Sequence, residues 1–209
     1  MLNEYLKDLP LIAILRGVQP SEVESIGDAL FEAGFRVIEI PLNSPDPLVS
    51  IEKLSTRLGG AALVGAGTVL QPEQVGQVRD AGGRIIVSPN AKPAVIEATA
   101  RAGLASAPGV ATPTEGFAAL DAGAHALKLF PAEAIGPKVV KAWRAVVPAE
   151  VPLMPVGGIS PDNMAEFVAA GATGFGLGSA LYKAGMTADA VATNAKAFAD
   201  AWQTVSTHS

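Results

Sequence analysis

Short apolar runs bounded by glycine, proline and asparagine alternate along the chain with longer stretches that start and stop like helices. Eight of the runs read as strands: LIAILRG (11–17), VIEIPLN (37–43), ALVGAGTV (62–69), IIVSPN (85–90), LASAPGV (104–110), ALKLFP (126–131), LMPVGGI (153–159) and GFGLGSAL (174–181). Five of the intervening stretches end on Ala-Gly, at Gly34, Gly82, Gly103, Gly123 and Gly171. Glycine there takes the left-handed conformation that closes a helix. The two long gaps in this series each have room for one more unit, with RLGG before residue 61 and AVVPAE before residue 151 supplying the missing helix endings. The repeating unit is then about 20 to 27 residues, enough for one strand, one helix and two tight loops. Ser21 and Glu24 read as a capping box, and SPDP, QPEQ, KPAV, TPTE and SPDN place proline with acid or hydroxyl groups at further helix starts.

Strand and helix alternating in this way predict parallel strands, and eight of them close into a (β/α)8 TIM barrel, expected here as a single α/β domain over residues 1–209. An open doubly wound sheet is the alternative, but it requires neither eight units nor so even a spacing.

Composition narrows the partners. Charged residues make up 17% of the 209-residue chain and the formal net charge is −5, with lysine and arginine scattered along it. This excludes nucleic acid and membrane surfaces as expected partners and points to a small molecule. MLNEYLKDLP lacks the apolar core of a signal peptide, and no run approaches the ~18 residues of a membrane span, so a cytoplasmic protein is expected. Without cysteine, and with histidine only at His125 and His208, thiolate chemistry, serine–histidine triads and histidine-rich metal sites are set aside. No metal and no organic cofactor is expected.

Barrel sites lie at the C-terminal ends of the strands, and the polar residues fall there. The first strand ends on Arg16; the second holds Glu39 and ends on Asn43; the third ends on Thr68; the fourth ends on Ser88, Pro89 and Asn90. The sixth carries Lys128, the seventh ends on Gly157 and Gly158, and the eighth on Gly178 and Ser179. Alternation along a strand groups Ile12, Ile14 and Arg16; Val37 and Glu39; Val64, Ala66 and Thr68; and Ala126, Lys128 and Phe130. Among eight lysines only Lys128 lies inside a strand, and among twenty acids only Glu39 is mid-strand. Lysine is seldom fully buried without a partner or a purpose.

A buried ion pair without chemistry is one reading of Lys128 and Glu39, but such a pair is usually no better for stability than apolar residues. The chemical reading explains more. Burial together with Arg16 lowers the pKa of Lys128, and a neutral amine attacks ketones. Glu39, held near neutrality, can carry protons. PVGGIS and GLGSAL end adjacent strands where barrels often hold phosphate; close strand–helix packing is the alternative. GAGTVL lacks the later glycine of a dinucleotide loop, and that reading is rejected. His125 reads as packing, Glu133 and Lys138 as solvated charges, and Phe130 and Pro131 as shaping or filling the pocket.

With LRG, IEIPLNS, GAGTV, SPN, KLFP and VGGI in this order, residues 9 to 185 resemble the 2-keto-3-deoxy-6-phosphogluconate and 2-keto-3-deoxy-6-phosphogalactonate aldolases. The resemblance implies a Schiff base between Lys128 and pyruvate, with Glu39 transferring protons. It implies that Arg16 and Thr68 bind the pyruvyl oxygens and that Gly157, Gly158, Gly178 and Ser179 hold phosphate. Pro89, Asn90, Phe130 and Val156 complete the expected substrate contacts. IPLNS and Val156 stand where the gluconate branch carries Thr-Leu-Arg-Thr and a threonine, which favours the galactonate branch. The resemblance thus implies a class I aldolase that splits 2-dehydro-3-deoxy-6-phosphogalactonate to pyruvate and D-glyceraldehyde 3-phosphate, as a homotrimer. The same reaction on the gluconate epimer, a phosphosugar isomerase or epimerase, and a non-catalytic sugar-phosphate-binding barrel are the alternatives.

Overall fold

A computed structural model describes residues 2–206, so His208 lies outside the described residues. The chain begins with a short helix α1 (Leu2–Tyr5) and then alternates: β1 (Leu11–Ile14), α2 (Val23–Glu32), β2 (Val37–Pro41), α3 (Pro47–Leu58), β3 (Leu63–Gly67), α4 (Pro72–Asp80), β4 (Ile85–Val87) and α5 (Pro93–Arg101). Two strands follow, β5 (Ala105–Ala107) and β6 (Gly109–Val110), then α6 (Pro113–Asp121), β7 (Leu127–Leu129), α7 (Pro137–Arg144), β8 (Leu153–Pro155), α8 (Met164–Ala169), β9 (Phe175–Leu177) and α9 (Ala188–Ser206).

The expected closed eight-stranded barrel is not what forms. All pairings are parallel, but they build a curled six-stranded sheet, in the order β5-β4-β3-β2-β1-β9, and a separate three-stranded sheet, β6-β7-β8. Pro108 is the reason at one junction. Having no N–H to give a ladder, it splits the predicted fifth strand so that β5 pairs in one sheet and β6 in the other. At the other junction β8 ends on Pro155 and the chain turns away through Gly157 and Gly158, both at positive φ, leaving a single bridge from Val156 to Gly176.

The Ala-Gly endings form as the pattern predicts. Gly34, Gly82, Gly103, Gly123 and Gly171 all have positive φ, and the residue after each donates its N–H five residues back, as Phe35 does to Leu30 and Leu104 to Thr99. That is the Schellman arrangement. Proline opens α3, α4, α5, α6 and α7, and true capping boxes pair Gln71 with Gln74 and Thr112 with Glu115. Ser21 does not cap. Helix α2 starts later, and its N-cap residue Glu22 instead accepts the Gln19 N–H at 3.1 Å.

Two apolar layers result. The larger lies between strands and helices; the smaller, with Ile12, Val37, Leu63, Val87, Ala107, Ala126 and Met154, is enclosed by the strands and covered by Leu2 and Leu6 from the α1 segment. Leu63 belongs to the inner layer and Val64 and Ala66 to the outer one, the reverse of the expected phase for this strand.

Candidate active site

Opposite the α1 end, the strand ends open into a pocket of about 610 Å³. Of the expected site residues, Arg16, Thr68, Pro89, Lys128, Phe130, Val156, Gly157, Gly158, Gly178 and Ser179 all line it. Asn90 does not: it is exposed at the turn before α5 and lies outside the lining. Thr68 arrives by a route the alternation did not anticipate. Its φ is +56°, a conformation uncommon outside glycine, and this twist returns the side chain to the pocket although the strand before it has the opposite phase.

Beneath the pocket is a small cavity of about 10 Å³, lined by Glu39 and Lys128 with Ile12, Ile14, Val87, Ala107, Met154, Val156 and Gly176. Lys128, Ile14 and Val156 border both spaces. The amine therefore stands at the boundary between the open pocket and the buried carboxyl group. Lys128 is 8% exposed and Glu39 1%, each surrounded by apolar side chains.

Burial sets the electrostatics of both. It pushes the Glu39 pKa up to about 7, against the pull of Lys128 and then Arg16 toward the ionised form. It pulls the Lys128 amine below its ordinary value; Glu39 opposes this and Arg16 adds to it. One carboxyl oxygen of Glu39, Oε2, is buried without a hydrogen-bond partner. An unsatisfied buried oxygen is costly and needs an explanation beyond packing.

Surrounding groups fix the rest. The Arg16 guanidinium donates to Asn43 Oδ1 at 2.5 Å and to Thr68 Oγ1 at 3.4 Å, which aims an otherwise exposed side chain. Lys128 Nζ lies 4.9 Å from the centre of the Phe130 ring. Asn163 accepts the Ser160 N–H and donates to the Gly158 carbonyl at 2.8 Å, holding the loop after β8. Tyr182 donates to Glu22 at 2.9 Å, tying the loop after β9 to the start of α2.

Glu133, Tyr182 and Lys183 also line the pocket, and sequence reasoning missed them. Glu133 and Tyr182 reach it through loops whose path no periodicity encodes. The Gly157–Gly158 pair was the only signal for Glu133, since glycines make room for whatever crosses them.

An amine and a carboxyl group perturbed toward each other's range, at the strand ends of a parallel α/β framework, are the equipment of a carbon–carbon lyase of the aldolase class. The chain belongs to the family described as KDPG and KHG aldolase, which matches residues 2–196. It is 51% identical over 196 residues to the "Probable 2-dehydro-3-deoxy-6-phosphogalactonate aldolase" of Rhizobium meliloti (strain 1021), covering 94% of this chain and 92% of that one. To the "2-dehydro-3-deoxy-6-phosphogalactonate aldolase" of Escherichia coli (strain K12) it is 47% identical, covering 96% and 98%. The solved structure described as "Native KDPGal structure" superposes with a TM-score of 0.94 at 46% identity, over 95% of this chain and 97% of that one.

Proposed function

We propose that this protein is a class I aldolase that cleaves 2-dehydro-3-deoxy-6-phosphogalactonate reversibly to pyruvate and glyceraldehyde 3-phosphate through a Schiff base on Lys128. One observation carries the reading: Lys128 borders both the open pocket and the cavity that holds Glu39. The relatives bearing that enzyme's name support the substrate.

In this mechanism the neutral Lys128 amine adds to the C2 ketone, and protonated Glu39 gives its proton to the departing hydroxyl, so that water leaves and an iminium remains beside the Glu39 carboxylate. Glu39 as carboxylate accepts the C4 hydroxyl proton while the C3–C4 bond breaks. Its electron pair moves into the iminium to give an enamine, and the aldehyde departs. Glu39, now protonated, returns a proton to C3, and water then hydrolyses the iminium, releasing pyruvate and the neutral amine and handing the spare proton back to Glu39. A base whose pKa lies near 7 suits both directions of this transfer. Arg16 and Thr68 hold the pyruvyl oxygens, and Gly157, Gly158, Gly178 and Ser179 seat the phosphate; Pro89 and Phe130 bound the substrate between them. The reading includes a homotrimer in the cytoplasm. The exposed apolar side chains Phe117, Val139 and Val146 on and after α6 and α7 offer surface for subunit contact, and sedimentation equilibrium checks the mass.

Borohydride reduction with pyruvate, followed by mass spectrometry, tests the chemistry. Wild type should gain a covalent three-carbon adduct on Lys128, and Lys128→Ala should gain none; wild-type turnover by Lys128→Ala defeats the mechanism. Glu39→Gln should still trap pyruvate and turn over slowly. The epimer preference is assigned to Val156, whose apolar side chain gives no hydrogen bond to the C4 hydroxyl. Val156→Thr should shift the kcat/KM ratio toward the gluconate epimer by about tenfold, the worth of one hydrogen bond, and an unchanged ratio removes Val156 as discriminator.

A further inference from the structure

Glu133 is held in place by the turn that follows β7. Ala132 donates its N–H to the Val156 carbonyl at 2.8 Å, and Ala134 and Ile135 donate to the Pro131 carbonyl at 3.0 and 3.1 Å, so this turn is fastened to the end of β8. From that anchor the Glu133 side chain crosses the two glycines. A Cβ on Gly158 would stand 2.7 Å from Glu133 Cγ and 3.1 Å from Oε1, and one on Gly157 would overlap Oε2. The same end of the pocket is lined by Gly178, Ser179 and Ala180. Among the described residues, the N–H groups of Gly158, Ser179 and Ala180 are engaged by no protein acceptor. These are free donors at a site that suits an anion.

Glu133 is the one acid in a lining whose other charges are Arg16, Lys128 and Lys183. It forms no ion pair with them among the described residues. A carboxylate thus lies across the glycines that are read above as part of the phosphate seat.

We propose that Glu133 is a built-in competitor for the phosphate end of the pocket: its carboxylate covers the Gly157–Gly158 pair, swings aside for a phosphate ester, and weakens the hold on it. The consequence is faster release of the phosphorylated product. The side chain is exposed, so it can move without disturbing the core. This rests on reading that end as a phosphate seat, which is independent of the amine chemistry.

Direct calorimetric titration of the full chain with inorganic phosphate, and separately with glycerol 3-phosphate, tests it in wild type, Glu133→Gln and Glu133→Ala. At low salt both variants should bind each ligand about three- to tenfold more tightly, and the gain should shrink once the Debye length falls to about 3 Å in molar salt. An unchanged or weaker affinity in Glu133→Gln overturns the proposal. A gain confined to Glu133→Ala also overturns it, by assigning the effect to bulk rather than charge. If no form binds phosphate, both the competitor and the seat are lost, while pyruvate trapping on Lys128 still reports on the aldolase mechanism separately.

Discussion

Gly67 determines where the Glu39 carboxyl group can lie, because a Cβ at this position would overlap the carboxyl oxygens. The residue is in β3, paired with Pro41 of the strand that carries Glu39, so its missing side chain is the space the acid occupies. In Gly67→Ala the carboxyl group must leave its place while Lys128 keeps its own. Turnover should drop by at least about tenfold, and by as much as the roughly 10²- to 10⁴-fold attributed to a positioned acid–base group, while borohydride trapping of pyruvate persists. Steady-state rates alongside the trapping assay measure both, and undiminished turnover would mean that the position of Glu39 is not restrictive. Lys128 and Glu39 were legible in the sequence because each is a charged residue inside an apolar strand. Gly67 was not, since its role is defined by a side chain on the neighbouring strand. Glu133 is solvated, as its sequence suggests, but its place in the pocket was not legible for a related reason: it follows from the bond between Ala132 and Val156, which joins the segments after β7 and β8.

The helices were legible at both ends wherever the chemistry is local. A left-handed glycine after alanine, or proline after a hydroxyl or amide side chain, acts within one turn, and so the Schellman endings and the Thr112–Glu115 box follow from neighbouring residues alone. Ser21 failed because a distant group decides that corner: Glu22 accepts the Tyr182 hydroxyl from the loop after β9. Sheet closure failed for the same reason in reverse, because a single proline, Pro108, redirects a run whose apolar character otherwise reads as one strand. The glycine endings allow a graded test. Gly103 has φ +70° with open space around it, whereas a Cβ on Gly123, at φ +102°, would meet the Ala100 Cβ at 3.2 Å. Gly103→Ala should cost about 1 kcal/mol from backbone conformation alone, and Gly123→Ala more than that. Urea unfolding measures both; negligible losses would mean that neither ending carries strain when substituted, and equal losses that the contact with Ala100 adds none at Gly123.

At the scale of the whole molecule, two sheets facing across an apolar interior leave Glu39 with almost no solvent, and this should be visible in the stability of the entire chain. Its pKa rises from 4.5 to about 7 on folding, chiefly through desolvation. The folded state therefore binds this proton more tightly than the unfolded state does. The associated stability is fully present below about pH 4.5 and is lost as pH rises through about 7. A shift of this size corresponds to about 3 kcal/mol. His125, whose pKa is lowered by burial, adds a pH dependence of the opposite sign, so the useful quantity is the difference between wild type and Glu39→Gln, in which His125 is common to both. Urea midpoints from pH 4.5 to 8 should give a difference that falls as pH rises and levels off above 7; a flat difference would refute the buried, proton-holding state of Glu39. Lys128 supplies a second arm. Its attraction lowers the Glu39 pKa, so removing the amine in Lys128→Met should leave the fall in place and move it to higher pH. A fall that stays at the same pH would mean that the two groups do not sense one another across the cavity, and the coupling on which proton transfer beside the amine depends would be absent.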